Sequence, residues 1–220
     1  MYISHKYRFI FLRTPKTASS SLSEFFIRNI PDENAVYTPV DDTKIKGTLN
    51  GGYIDKYKKN FKYFHFTLED LIKEKIITEE QARTYKSFAV LRDPIDRQKS
   101  FYYFYKRWKN RQVPPSLEDY KALTPDGFFS GEPNSGIPQT DFLTLNGEVV
   151  GEYWLYENLS THLNRFMSDI NVPIKFPLLK HKSNFRKNRN NEIQFDEISL
   201  NKIKSRFKKD FELYNEIKGL

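Results

Sequence analysis

Two apolar segments, each followed by a helical pattern, constrain the fold of this chain more than any other feature of its sequence. Residues 7–12 (YRFIFL) and 87–94 (SFAVLRDP, ending at its Asp-Pro pair) have the aromatic and branched content of buried strands. After the first, apolar residues recur at helical spacing until Pro31, and after the second a helix is predicted from about Ile95 to Trp108. This alternation predicts the α/β class, with a central, mainly parallel sheet flanked by helices.

Shorter elements are predicted between and after these two segments. They are a strand over 62–66, helices capped by Thr67 and Thr78, strands over 148–159 that end in a turn, a helix over 159–170, and one closing amphipathic helix marked by Ile198, Ile203, Phe207, Phe211 and Tyr214.

The length of 220 residues predicts a single domain over 1–220, and 19 Phe and 14 Tyr supply material for its core. An irregular insertion is expected over about 110–138, where prolines cluster, and loops of this length usually serve function. The N-terminus has neither a signal-peptide pattern nor a membrane-spanning stretch, and the chain has no Cys. A cytoplasmic protein without membrane attachment is therefore expected.

The charge balance points to an anionic partner. The net charge is +8 and the isoelectric point is near 9.4. Nucleic acid, another polyanion and a phosphorylated small molecule all fit this balance. Charge alone does not choose between them, so the positions of particular basic residues must decide.

The loop between the first predicted strand and its helix (TPKTASSSL, residues 14–22) has the features of an anion site. A helix N-terminus presents backbone N–H groups and partial positive charge, Lys16 adds a full charge, and the following serines add hydroxyl groups. The alternative is an ordinary capped helix, since Ser21 and Glu24 have capping-box spacing. The loop contains no glycine, which argues against a nucleotide-triphosphatase P-loop.

A second polar element follows the strand over 87–94. Its sequence, LRDPIDRQKSFYYF, places Arg92 at a strand end, with Arg97 and Ser100 in the next helix. Arg92 and Ser100 could converge on one phosphate. The alternative is a surface lattice in which Asp93 and Asp96 pair with the two arginines.

Together the two elements resemble the sulfotransferases that use 3′-phosphoadenosine 5′-phosphosulfate (PAPS). TPKTASSSL resembles their 5′-phosphosulfate loop, and Arg92, Pro94, Arg97, Ser100 and Tyr102 match the register of their 3′-phosphate element. The first loop is most similar to that of the carbohydrate branch, including the heparan sulfate 2-O-sulfotransferases. Weaker similarities at FHF, YWLYENL and KHKSNFRKN extend the resemblance over about residues 8–190.

The resemblance implies a P-loop-kinase-like sulfotransferase fold with PAPS as the sulfuryl donor and no metal. It also implies a basic loop over about 180–191 that closes over the cofactor. The implied cofactor-binding residues are Pro15, Lys16, Thr17, Ala18, Ser19, Ser20, Ser21, Arg92, Ser100, Ser183 and Arg186.

The implied reaction needs two catalytic groups. Negative charge grows on the bridging oxygen of the leaving phosphate, and Lys16 is the candidate cation for it. The acceptor hydroxyl must lose a proton, and His65 is the candidate base because it lies at the end of a predicted strand and precedes a helix cap. Glu69, one turn into the next helix, is the alternative base if burial raises its pKa.

The acceptor is expected to be a carbohydrate or a small alcohol rather than nucleic acid. Two other classes remain open from the sequence: a kinase-like nucleotide-binding enzyme, and a non-enzymatic binder of polyanion or nucleic acid. The first lacks the glycines of a Walker motif, and the second rests on a basic loop of a kind that is usually only solvated.

Overall fold

The computed structural model describes residues 1–38, 52–53, 65–108, 136–178 and 194–219. The chain divides into two compact units. The first comprises Met1–Leu91 and Thr140–His181, and the second comprises Arg92–Gln139 and Lys182–Leu220. The expectation of one domain over 1–220 stays a prediction.

A six-stranded sheet forms the frame of the first unit. Its strand order is β4-β3-β1-β2-β5-β8, and β1 runs antiparallel to both of its neighbours while the other described pairs are parallel. The mainly parallel sheet of the sequence prediction is therefore confirmed. The strands are β1 (Tyr2–Ser4), β2 (Phe9–Leu12), β3 (Val36–Tyr37), β4 (Gly52–Tyr53), β5 (Lys86–Leu91) and β8 (Glu152–Leu155), with β6 (Thr144–Leu145) and β7 (Glu148–Val149) in a separate antiparallel pair.

The described helices follow the predicted positions closely. Capping boxes at Thr67 with Asp70 and at Thr78 with Gln81 are both present, so local sequence sets where these two helices begin. In chain order the helices are α1 (Ser19–Asn29), α2 (Leu68–Lys73), α3 (Glu79–Thr84), α4 (Pro94–Trp108), α5 (Leu159–Asp169), α6 (Glu197–Arg206) and α7 (Lys208–Lys218), with short 3₁₀ turns at Thr140–Leu143 and Tyr156–Asn158.

Aromatic side chains fill the core of the first unit. Phe88 stacks on Trp154 with ring centroids 4.1 Å apart, and Phe166 of α5 meets Phe9 edge-on at 5.0 Å. Phe26 of α1 joins the same buried cluster. Because side chains alternate along a strand, α1 and α5 cover the face to which these strand residues point.

Strand β1 lies at residues for which the sequence patterns predicted no regular element. The three residues of β1 are fully buried between β2 and β3. The His5 ring Nδ1 lies 3.1 Å from the Tyr85 hydroxyl. A strand of three residues is too short to show an alternating pattern, which explains why the sequence did not predict it.

The second unit packs α4 against α6 and α7. Its apolar cluster contains Phe101, Phe195, Ile203 and Phe207. The prediction of one closing helix is wrong: Phe207 leaves helical geometry at φ −108° and separates α6 from α7. Phe207 is nevertheless buried, and apolar residues of both helices pack in this cluster.

Several sequence predictions fall wholly or partly outside the described residues. The strand predicted over 62–66 is not formed at His65 and Phe66, and its first three residues lie outside the description. Of the insertion over 110–138 only 136–138 is described, and the basic loop over 180–191 lies outside. No described helix is both long and apolar enough to cross a membrane, and the cytoplasmic location stays a prediction.

Candidate functional site

The loop between β2 and α1 has an unusual backbone. Lys16 and Ala18 adopt left-handed conformations, with φ of 66° and 60°. Each costs an L-residue about 1–2 kcal/mol relative to right-handed geometry, and such strain clusters at functional sites. The loop also lies at the edge where the parallel strands β2, β5 and β8 have their carboxyl ends, which is where α/β folds bind ligands.

Helix α1 begins three residues earlier than a capping box on Ser21 and Glu24 would require. Its N-cap is Ala18, which offers no capping side chain. Ser21 therefore lies within the first turn, and Glu24 pairs with Arg28 at 2.7 Å instead of reaching back to the N-terminus. The ordinary capped helix built on Ser21 and Glu24 is thus not what forms.

The hydroxyl groups of the loop differ in what holds them. Thr17 is fully buried and donates its Oγ1 hydrogen to the Thr14 main-chain oxygen at 2.8 Å. This bond closes the loop on itself, so the Thr17 side chain shapes the loop. Ser19 and Ser21 are mostly buried in the first turn of α1, and Pro15 is buried beside the half-exposed Lys16.

Arg13 is a second cation in this loop that the sequence prediction missed. Its side chain is 5% exposed, and its Nη2 donates to Ser20 Oγ at 3.1 Å. A buried guanidinium thus reaches the first turn of α1, where the helix dipole already favours negative charge. The available signal was the position of Arg13 directly after the last residue of β2.

His65 lies beside the same loop. Its Nδ1 is 2.6 Å from the main-chain oxygen of Arg13. A carbonyl oxygen only accepts, so in this contact Nδ1 carries the hydrogen, and the neutral ring has its lone pair on Nε2. The backbone thereby selects the tautomer in which Nε2 is the proton acceptor.

Glu69, the alternative base, is placed differently. Glu69 is exposed to solvent, and its Oε1 accepts a hydrogen bond from the Asn146 main-chain N–H at 3.2 Å. Asn146 belongs to the turn between β6 and β7. The burial that this alternative required is absent, and the carboxylate instead ties α2 to that turn.

In the second unit, Arg92 follows β5 directly and is only 7% exposed. Its guanidinium pairs with Asp96 through both Nε and Nη2 at 2.5 Å. Asp93 accepts from the Asp96 N–H at 2.7 Å and precedes Pro94, so it caps α4. One half of the predicted aspartate–arginine pairing is therefore formed, between Arg92 and Asp96.

Arg97 has a different environment from the exposed lattice considered in the sequence analysis. It is fully buried, its Nη1 lies 4.0 Å from Asp210 Oδ2, and its Nη2 donates to the Ile137 oxygen at 3.0 Å. Its guanidinium also lies over the rings of Phe101 and Phe207. Burial lowers the pKa of Arg97 to about 10 despite the opposing effect of Asp210. This arginine thus joins α4 to α7 and to the main chain at Ile137 within the second unit.

The remaining predicted residues stay predictions. Ser100 is half-buried in α4, while Ser183 and Arg186 lie outside the described residues. Within the described ranges, no group of three or more His, Asp or Glu side chains is arranged to hold a metal ion.

The family comparison agrees with the resemblance found in the motifs. The model of the sulfotransferase family matches residues 1–133, and no curated protein shows a significant match. Among solved structures, mouse sulfotransferase SULT7A1 complexed with PAP is similar, with 15% identity over 97% of this chain and 86% of that one and a TM-score of 0.44. Since the family match spans β1 through α4, more than half of the 220 residues, the chain belongs to the sulfotransferase family.

Proposed function

We propose that this protein transfers a sulfuryl group from PAPS to a hydroxyl acceptor. The observation that carries the proposal is the glycine-free loop between β2 and α1, in which Lys16 and Ala18 adopt left-handed conformations at the start of an uncapped helix. Such a loop suits an anion, because helix N–H groups, the helix dipole and a lysine act at one place.

Lys16 acts on the leaving group. As the S–O bond to the 5′-phosphate breaks, negative charge grows on the bridging oxygen, and a nearby ammonium stabilises that charge. The buried Arg13, bonded to Ser20, adds positive potential to the same helix turn. Sulfuryl transfer resembles phosphoryl transfer in that positioning and charge stabilisation dominate.

His65 acts on the acceptor. Its Nε2 takes the proton of the attacking hydroxyl while a new O–S bond forms and the old bond to the phosphate oxygen breaks. The products are the sulfate ester and adenosine 3′,5′-bisphosphate, with the proton held on the imidazole. The hydrogen bond between Nδ1 and the Arg13 oxygen supports this role, because it holds the ring in the required tautomer.

The sequence resemblance assigns the 3′-phosphate to Arg92 and Ser100, and further cofactor contacts to Ser183 and Arg186. In the structure Asp96 pairs with Arg92. A bound phosphate would compete with this carboxylate for the guanidinium fork. The resemblance to the heparan sulfate 2-O branch, together with basic segments at 56–62 and 106–111, favours a carbohydrate acceptor over a small alcohol.

Binding measurements test the donor assignment. Calorimetry should show tighter binding of adenosine 3′,5′-bisphosphate than of 5′-AMP, and the bisphosphate should raise the melting temperature more than ATP or an oligonucleotide does. Arg92→Ala should weaken bisphosphate binding by about 2 kcal/mol, roughly 30-fold. Arg83→Ala, which removes an exposed arginine paired with Glu79, is the control and should leave binding unchanged.

Equal affinity for the bisphosphate and 5′-AMP would remove the 3′-phosphate assignment. Preferential stabilisation by ATP would favour a kinase-like enzyme. Preferential stabilisation by the oligonucleotide would favour a polyanion binder.

A further inference from the structure

One buried side-chain amide bonds both polar groups of the Arg92 backbone. The Arg92 N–H donates to Gln139 Oε1 at 2.9 Å, and Gln139 Nε2 donates to the Arg92 oxygen at 2.8 Å. Gln139 is fully buried. Only this orientation of the amide works, since the reverse would set donor against donor and acceptor against acceptor.

These two hydrogen bonds from Gln139 replace the ones that a neighbouring strand would make with the Arg92 backbone. Arg92 is the first residue after β5, and the last pairing of β5 is between Leu91 and Leu155. A buried N–H and C=O beyond that point need other partners. The glutamine amide, with one donor and one acceptor side by side, pairs with the peptide groups as a strand would. It therefore fixes the direction in which the Arg92 side chain leaves the backbone.

Gln139 is itself held by the closing helices of the second unit. Its main-chain N–H donates to Asp210 Oδ2 at 2.8 Å, and its Nε2 lies 3.4 Å from the same oxygen. Asp210 is fully buried and forms the ion pair with Arg97. Two residues just before Gln139 are held as well: Arg97 Nη2 donates to the Ile137 oxygen and Arg206 Nε donates to the Gly136 oxygen, both at 3.0 Å. The segment 136–139 thus receives side-chain bonds from α4, α6 and α7.

We propose that Gln139 is a positioning residue for nucleotide selectivity, which aims Arg92 at the 3′-phosphate and depends on Asp210 for its own orientation. This proposal rests on the assignment of Arg92 to the 3′-phosphate in the proposed function. It assigns a role to the buried Arg97–Asp210 pair as well. The pair anchors the glutamine and so links the closing helices to the cofactor arginine.

The test compares ligand selectivity in matched variants. Gln139→Met keeps a side chain of similar length but removes both hydrogen bonds, and we expect about a tenfold loss of affinity for adenosine 3′,5′-bisphosphate. Affinity for 5′-AMP, which has no 3′-phosphate, should change less than about twofold, a shift too small to reflect a lost hydrogen bond. Gln139→Glu should lose more, because it removes the donor to the Arg92 oxygen and sets a carboxylate beside Asp210.

Tyr153→Phe is the control. The Tyr153 hydroxyl donates to the Thr140 oxygen at 2.8 Å and accepts from the Leu143 N–H, so the variant loses two buried hydrogen bonds next to Gln139 in sequence, neither of which involves Arg92. It should melt earlier and keep full selectivity. Amide hydrogen exchange at Arg92, measured without ligand, should accelerate in Gln139→Met and stay unchanged in Tyr153→Phe.

The outcomes separate the two proposals. Wild-type protein that does not distinguish the bisphosphate from 5′-AMP overturns the proposed function and this inference together. A selective wild type with an equally selective Gln139→Met variant overturns the inference alone. If Gln139→Met weakens the binding of both ligands equally, or leaves amide exchange at Arg92 unchanged, then Gln139 is only a packing residue.

Discussion

The ring Nδ1 of His65 lies 2.6 Å from the main-chain oxygen of Arg13, the residue that begins the lysine-bearing loop. The candidate base is thus hydrogen-bonded to the backbone of the loop that carries the candidate cation. Any shift of the Arg13 peptide would move both. The orientation of the imidazole and the shape of the lysine-bearing loop are therefore set by one common element.

Replacing His65 with Ala should lower turnover about 100-fold or more while leaving the melting temperature and nucleotide affinity nearly unchanged. The wild-type rate should rise with pH through a single ionisation, because only the neutral imidazole accepts a proton. Steady-state rates across pH, measured together with calorimetry, check both points. His5→Ala, at the histidine beside Tyr85, is the control and should keep full turnover. A pH profile that survives in His65→Ala but disappears in Glu69→Gln would make Glu69 the base.

Lys16→Ala should lower the rate of the chemical step more than it lowers donor affinity. The charge that Lys16 stabilises develops mainly in the transition state, so the loss appears in kcat. Single-turnover rates and donor binding measured on the same variant separate the two effects. Lys75→Ala is a matched control, because Lys75 is also a lysine in left-handed geometry, at φ 56°, but lies at the end of α2. Unchanged turnover with much weaker donor binding would make Lys16 only an anchor.

Lys75→Gly should raise the free energy of unfolding by about 1 kcal/mol. Lys75 follows the C-cap of α2, and its N–H bonds to the Ile72 oxygen while the Ile76 N–H bonds to that of Leu71, so it occupies the position where helices favour glycine. Urea unfolding provides the measurement. The same change at the exposed Lys204, inside α6, should lower stability by about 1 kcal/mol. A loss of stability in both variants would contradict the assigned geometry.

Stability should fall as the pH drops below about 6.5, and His162 should contribute to this loss. Burial lowers the pKa of His162 from its usual 6.5, with Glu152 acting in the opposite direction and Arg165 adding to the lowering. The unfolded chain therefore binds a proton at a pH where the folded protein does not, and protonation favours unfolding. Urea midpoints at pH 7.5 and 5.5 should differ less in His162→Gln than in the wild type. Glu152→Gln should make the pH dependence steeper, and an identical slope in all three proteins would exclude His162.

The parts of the fold that the sequence predicted are those set by neighbouring residues. The capping boxes at Thr67 and Thr78, the apolar strand β5 and the helix after it each depend on interactions within a few positions. The lysine-bearing loop between β2 and α1 was also visible locally, because a lysine and serines follow a strand. Its left-handed residues were not, since neither Lys16 nor Ala18 is a residue type that favours positive φ.

The parts that the sequence did not predict depend on partners far along the chain. Arg97 is an internal cation only because Asp210 is buried beside it, and nothing near either residue indicates that pairing. Gln139 similarly finds its partner at Arg92. The sequence did not predict the helix break at Phe207, because the apolar spacing continues across it although the helix does not.

The antiparallel position of β1 implies an order of folding. Strands β1 and β2 are joined by residues 5–8 only, so they can pair as a hairpin soon after both exist, whereas β2 meets β5 through the pairing of Phe9 with Lys86. Closing so long a loop costs more entropy and slows folding. During synthesis the hairpin and α1 are made before β5, so β2 lacks its parallel neighbour until β5 has been made. We expect the apolar faces of β2 and α1 to stay exposed in that interval, so this segment is open to aggregation until β5 joins the sheet.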